Sequence, residues 1–204
     1  MNTNNTPSGT TLEQRFPLPD PAKLPSDIRE RILAVQEKTG FVPNVFLKLA
    51  RRPEELRAFF AYHDALMLRE GGLTKNEKEM IVVATSAANQ CLYCVVAHGA
   101  ILRIYEKNAV IADQLATNYR KAPLSCRQRA IIDFALKVAL RSHEVEASDL
   151  DALVQYGLND EDAWDIAAIA ALFALSNRIA NATGLMPNPE FHLMGRIPRD
   201  KKSP

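Results

Sequence analysis

The sequence predicts an all-α protein, and three observations carry that reading. No stretch of the 204 residues alternates apolar and polar side chains long enough to form a half-buried strand. Apolar residues recur instead at the three- and four-residue spacing of helices that bury one side. Residue pairs that cap helices stand where helices should begin: Thr74 with Glu77, Ser125 with Gln128, and Asn159 with Asp162.

Taken in order, residues 1–14 offer almost nothing to bury and read as a disordered leader. Phe16 to Pro21 holds too many prolines for a helix and reads as an extended surface segment, or as a linker touching nothing. A first helix opens at Ser26, runs through Ile28, Ile32, Leu33 and Val35, and stops at Gly40. A short helix follows over Val45 to Ala50. Pro53, suited to a first helical turn, begins a longer one with Leu56, Phe59, Phe60, His63, Leu66 and Met67 along one side. His63 on that face reads as a core or interface histidine. Gly71-Gly72 ends this helix, and the Thr74 capping box opens the next.

Further helices are expected over Ala109 to Tyr119 and Asp149 to Tyr156. A long one, Ala163 to Thr183, is apolar on nearly every face and belongs in a bundle core or a subunit contact. Trp164 near its start suits either place. Leu124-Ser125-Cys126-Arg127-Gln128 echoes Leu73-Thr74-Lys75-Asn76-Glu77 at an offset of 51 residues, each followed by an apolar run. The echo suggests two related helical lobes, about 53–120 and 121–184, although chance similarity between two capped helices explains it as well. Cys126 has no partner in sequence and reads as a structural or incidental thiol. Residues 196–204 read as a loose, basic tail.

The chemistry concentrates between Glu79 and His98. If a helix opens at Asn89 or Gln90, Cys91 lies at its start, Cys94 one turn in and His98 one turn further. At roughly 100° per residue all three share one narrow sector. Only a thiolate attacks an electrophile, and a helix N-terminus favours that form, so Cys91 is expected to be the more stabilised and the more exposed sulfur. Two thiols at C-x-x-C spacing can close into a disulfide and reopen. His98 can move a proton, and Glu79 can orient it. On one straight helix Glu79 would stand roughly 28 Å from His98, so this arrangement requires a bend near Ala88–Asn89. Without the cysteines downstream, Glu79 would read as a solvated first-turn carboxylate.

Glu79, eleven residues, Cys91-Leu92-Tyr93-Cys94, three residues and His98 resemble the signature of the AhpD-like alkylhydroperoxidases, in the carboxymuconolactone decarboxylase superfamily. Gly40-Phe41-Val42-Pro43-Asn44, Leu73-Thr74 and Met186-Pro187 resemble its peroxidase-related branch, with a likeness covering about 15–195. The resemblance implies a helical bundle in homo-oligomers, trimers or hexamers. It implies Cys94 as peroxidatic thiol, Cys91 as resolving thiol, and Glu79 with His98 as proton relay. It also implies a hydroperoxide substrate and a dithiol reductant, either a lipoyl adaptor or a thioredoxin-like protein. Where well-known members carry a histidine before the second cysteine, this chain has Tyr93, a hydrogen-bond donor but a poor proton shuttle near neutrality.

Bulk properties narrow the classes. A length of 204 residues with 47% apolar side chains allows a sizeable core. Net charge is +1, so no electrostatic footprint for nucleic acid or an acidic membrane appears. The longest apolar run, Ile166 to Leu175, is too short to span a bilayer. Met1 to Thr11 lacks the layout of a secretory signal. Three cysteines without an even framework suit a reducing compartment, the cytoplasm. No cofactor is called for. Two alternatives to a thiol peroxidase stand: a structural zinc site of Cys91, Cys94, His98 and Glu79, and a carboxymuconolactone decarboxylase-like enzyme. The absence of strands argues against a thioredoxin fold beside this C-x-x-C.

Overall fold

A computed structural model describes residues 9–196, and among them every regular element is helical. The expected leader lies outside the described residues over 1–8. From Thr11 it is not disordered: a capping box between Thr11 and Gln14 opens a short helix, α1, Leu12–Arg15. Leu12 packs against Gly184. The proline-rich segment is tied down rather than idle, since Lys48 donates to the Phe16 carbonyl and Arg51 to that of Pro17.

Helix α2, Ser26–Thr39, ends on Gly40 at φ +87°, a left-handed stop that glycine adopts at little cost. Then come α3, Asn44–Leu49, and α4, Pro53–Met67, with Pro53 at its first position. Ile28, Ile32, Phe46, Leu56 and Phe60 close a core among these three helices. The expected capping boxes open α5, Lys75–Ala88, and α8, Cys126–Arg141. Between those two run α6, Leu92–Glu106, and α7, Ile111–Asn118. The chain continues through α9, Ala147–Val154, α10, Asp160–Ala182, and α11, Glu190–Leu193.

Helix α5 is the centre, buried on every side from Glu77 to Ser86. Ile81 and Val82 meet Ile131 and Phe134 of α8 and Ile166, Ile169 and Phe173 of α10. Met80, Val83 and Ala84 meet Leu102 of α6, Ile111 and Leu115 of α7, and Ile132 of α8. Each such fully buried aliphatic side chain contributes about 1.5–3 kcal/mol. Residues 53–120 and 121–184 therefore share one core. Arg127, in the first turn of α8, joins the two echoed capping boxes by donating to Glu77 (2.8 Å) and to the Gly72 carbonyl (2.7 Å).

By length and composition α10 could cross a membrane, but half of its apolar window is buried against the bundle. Trp164, 69% exposed, is not a core residue; with Ala171 and Leu175 it forms an apolar stripe on the outer side of α10. At the other end of the chain, Arg196 is anchored to Asp113 by two hydrogen bonds, so the expected loose tail does not begin there. Residues 197–204 lie outside the described residues.

The junction of α4 with α5 leaves no room at Gly72. Its N–H donates to the Asp162 carboxylate (3.0 Å), and a Cβ there would collide with that same group. Asp162 also completes the Asn159 capping box of α10. Gly72→Ala is expected to destabilise the fold by about 1–3 kcal/mol through overpacking, read as a lower urea midpoint at unchanged m.

Candidate functional site

Helix α5 ends at Ala88, and Gln90 takes a left-handed backbone (φ +53°) before α6 begins. That corner folds α6 back along α5, meeting the requirement for a bend. Glu79 Oε2 and His98 Nδ1 come within 2.8 Å although 19 residues apart. Glu79 is only 6% exposed, so it is not a solvated first-turn carboxylate. Phe173 of α10 covers the imidazole edge-on, with ring centroids 4.7 Å apart. With Nδ1 engaged on the carboxylate, Nε2 is the nitrogen left for chemistry.

Cys91 is the N-cap of α6, its sulfur accepting the Cys94 backbone N–H (3.5 Å). Both cysteines are reduced and both are 1% exposed. The expectation that Cys91 is the more exposed sulfur is thus corrected. The reason is α10, which packs over the corner and buries the helix start along with the turn behind it. The expectation that Cys91 is the better thiolate agrees with its surroundings. Its pKa comes down to about 7, lowered first by the neighbouring Cys94 thiol and then by the Cys94 backbone N–H and the Asn177 amide, which also favours the Cys94 thiolate. Cys94 moves the other way, raised by its hydrogen bond to Cys91 and by burial.

Helix α10 supplies the residues that the sequence did not announce. Ser176 Oγ lies 3.8 Å from Cys94 Sγ. Asn177, fully buried, donates to Ser86 Oγ (3.0 Å) and accepts from Asn89 Nδ2 (3.0 Å). Asn181 reaches the Asn89 carbonyl (3.4 Å). A signal was present: Asn177 and Asn181 interrupt a long apolar helix at four-residue spacing. Nothing in one sequence says which surface they meet.

Tyr93 is buried and points away from the pair, its hydroxyl accepting the Val45 N–H (3.3 Å) at the start of α3. Burial raises its pKa, keeping it a neutral phenol. His63 hydrogen-bonds Asp64 (3.0 Å) on the far side of Phe173, and burial lowers its pKa. Cys126 is exposed in a groove of about 710 Å³ along α8 and α9, which contains none of the site residues. On the α3 side, Ser176 lines a narrow slot with Val45, Leu49, Phe59, Ile179 and Leu185. Among the described residues no three His, Cys, Asp or Glu side chains converge to hold a metal ion, so Cys91, Cys94, His98 and Glu79 do not form the zinc site considered from sequence.

The sequence profile of the carboxymuconolactone decarboxylase family matches residues 53–109, the span holding Glu79, both cysteines and His98. A crystal structure of an alkylhydroperoxidase AhpD core, an uncharacterized peroxidase-related protein from Ralstonia eutropha, is 70% identical, with a TM-score of 0.89, over 91% of this chain and 97% of that one. An uncharacterized peroxidase-related protein from a Silicibacter species is 41% identical, with a TM-score of 0.85, over 95% and 99%. The debrominase Bmp8, at 20% identity and a TM-score of 0.67 over 84% and 91%, shares the fold. No match exists among curated proteins.

The lowered pKa of Cys91 has a direct readout. In a Cys126→Ser background, which removes the exposed thiol, the alkylation rate by iodoacetamide should rise with pH about a midpoint near 7. Below it the rate should fall about tenfold per pH unit, because the thiolate is the attacking form. A midpoint at the ordinary thiol value, about 8.5, would contradict the arrangement.

Proposed function

The chain belongs to the AhpD-like, peroxidase-related branch of the carboxymuconolactone decarboxylase family, and from that premise we propose a thiol-dependent peroxidase and disulfide reductase acting on organic hydroperoxides. The observation that supports this most is the reduced Cys91–Cys94 pair at a helix start, with His98 one turn further along that helix and hydrogen-bonded to the buried Glu79 of α5.

In the proposed cycle a thiolate attacks the terminal oxygen of R–O–OH. The O–O bond breaks, the sulfur becomes a sulfenic acid, and the leaving alkoxide takes a proton to depart as R–OH. His98, held by Glu79, supplies that proton and recovers one from the next thiol. The second cysteine condenses with the sulfenic acid, forming the disulfide and releasing water. An external dithiol, a lipoyl adaptor or a thioredoxin-like protein, returns two electrons and two protons by thiol–disulfide exchange. The resemblance gives the attack to Cys94 and the closure to Cys91, and the balance is the same with the two exchanged. Tyr93 takes no proton in this cycle.

The outer stripe of Trp164, Ala171 and Leu175 supports self-association, as trimer or hexamer. A dithiol that must be re-reduced suits the cytoplasm, and neither nucleic acid nor a membrane enters the proposal. A decarboxylase reading leaves the pair without a role, since loss of carbon dioxide transfers no electrons to or from a dithiol.

One equivalent of cumene hydroperoxide should remove two titratable thiols per chain, and Cys91→Ser should stop at a sulfenic acid trapped by dimedone. His98→Ala and Glu79→Gln should lower turnover by about 10²–10⁴ without changing the thiol count before peroxide. An unchanged thiol count after peroxide would remove the peroxidase reading.

A further inference from the structure

Both sulfurs are buried, so whatever reacts with them must be led in. Ser176, 3.8 Å from Cys94 Sγ, lines the narrow slot between α3 and α10. Lys48 and Leu185 line the same slot, and both also form the wall of an outer cavity of about 350 Å³. Phe16, Leu18 and Met186 make the sides of that cavity apolar, and Leu18 and Met186, about half exposed, place its mouth at the surface. Thr183, whose carbonyl accepts from Lys48, follows Ser176 by seven residues, which is two turns and about 10 Å along the same side of α10. The ammonium therefore stands between the surface and the dithiol. Lys48 is only 8% exposed, yet it meets no carboxylate among the described residues. It gives hydrogens to the Phe16 carbonyl (2.8 Å) and the Thr183 carbonyl (3.3 Å), and an ammonium has three to give. Carbonyls satisfy hydrogen bonds but leave the charge uncompensated, whereas buried charges are ordinarily paired. Arg51 is likewise held by a carbonyl, that of Pro17, with its guanidinium over the Phe16 ring. Glu13, the acid on the cavity wall, pairs with neither cation.

We infer that the cavity at Lys48 is a binding site for free carboxylates with an apolar body, and that the hydroperoxides this protein reduces carry such an acid group. The carboxylate takes the remaining hydrogen of the Lys48 ammonium and supplies the charge it lacks. The apolar body lies against Phe16, Leu185 and Met186. From there the slot leads past Lys48 to Ser176 and Cys94. The slot is narrow at rest, so passage requires α3 to move off α10. A carboxylate at Lys48 competes with the Thr183 carbonyl, the longer of the two bonds and a tie from α3 to the end of α10. The identity of the substrate rests on the peroxidase reading, whereas the carboxylate site does not.

The test uses octanoate and octanol as probes on reduced Cys126→Ser protein. Calorimetry should show one octanoate site per chain, with octanol weaker by about tenfold or more, the loss expected when a hydrogen bond between charged partners is removed. Lys48→Met should weaken octanoate to a similar degree, and Lys48→Arg, which keeps the charge, should restore most of the binding. Octanoate should also slow iodoacetamide alkylation of Cys91 and Cys94 in proportion to occupancy, because the filled cavity blocks the way in. Equal binding of the two probes would overturn the inference. So would octanoate binding that Lys48→Met leaves unchanged, or a filled site that does not slow alkylation. Should Lys48→Met fail to fold, the contrast between octanoate and octanol and the protection of the two cysteines still decide. Octanoate binding and protection without thiol loss to cumene hydroperoxide would sink the peroxidase reading and leave the carboxylate site standing. Thiol loss to peroxide with no octanoate binding would do the reverse.

Discussion

The α5–α6 corner is closed by hydrogen bonds centred on two fully buried side chains, Ser86 and Asn177. Asn89, Ser86, Asn177 and Asn181 satisfy one another where three helices meet, and Cys91 N–H donates back to the Ser86 carbonyl (2.9 Å). A buried donor or acceptor left unpaired costs about 1–3 kcal/mol, so a shift of one member penalises all of them. Gln90 supplies the left-handed step that the corner needs, a conformation uncommon outside glycine. Once this corner is set, Glu79 and His98 lie at matched distances along antiparallel helices and must meet. The Glu79–His98 contact is thus a consequence of how this turn is tied to α10.

The same economy recurs away from the site. Three buried cations are matched with backbone carbonyls. Lys78 donates to the carbonyls of Leu66 and Arg69 where α4 ends (both 2.7 Å). Arg103 of α6 donates to those of Phe191 and Met194 around α11 (2.7 and 2.9 Å). Lys48 of α3 holds the Phe16 and Thr183 carbonyls (2.8 and 3.3 Å). Helix C-termini leave carbonyls without partners and carry partial negative charge, so an ammonium or guanidinium from a distant helix satisfies both needs. These staples fix the segments flanking the dithiol: α4 beneath Glu79, α11 beside α6, and the N-terminal segment over the end of α10.

Local patterns were legible and distant juxtapositions were not. The capping boxes at Thr74, Ser125 and Asn159 and the stop at Gly40 follow from chemistry within four residues, and the helices begin and end there. The Glu79-to-His98 constellation was readable because one hairpin carries all of it. Burial of Cys91 was not, because it depends on the second half of α10, far along the chain. Ser176 and Asn177 were hidden for the same reason. Composition misjudged residues 11–14, whose order comes from the Thr11–Gln14 capping box and from the contact of Leu12 with Gly184.

Since both sulfurs are 1% exposed, access cannot rank them. Any substrate that reaches one stands beside the other, and what separates them is the field each one feels. Cys91 accepts the Cys94 N–H and its pKa is lowered, whereas the neighbouring sulfur and burial raise that of Cys94. One turn further along α6 stands an imidazole whose orientation is fixed by a buried carboxylate. The two contributions come from different helices: α10 covers the pair, with Ser176 3.8 Å from Cys94, while α5 and α6 bring the carboxylate and the imidazole together. A chain with only the α5–α6 hairpin would have the motif in place but would lack the cover that α10 lays over its two thiols.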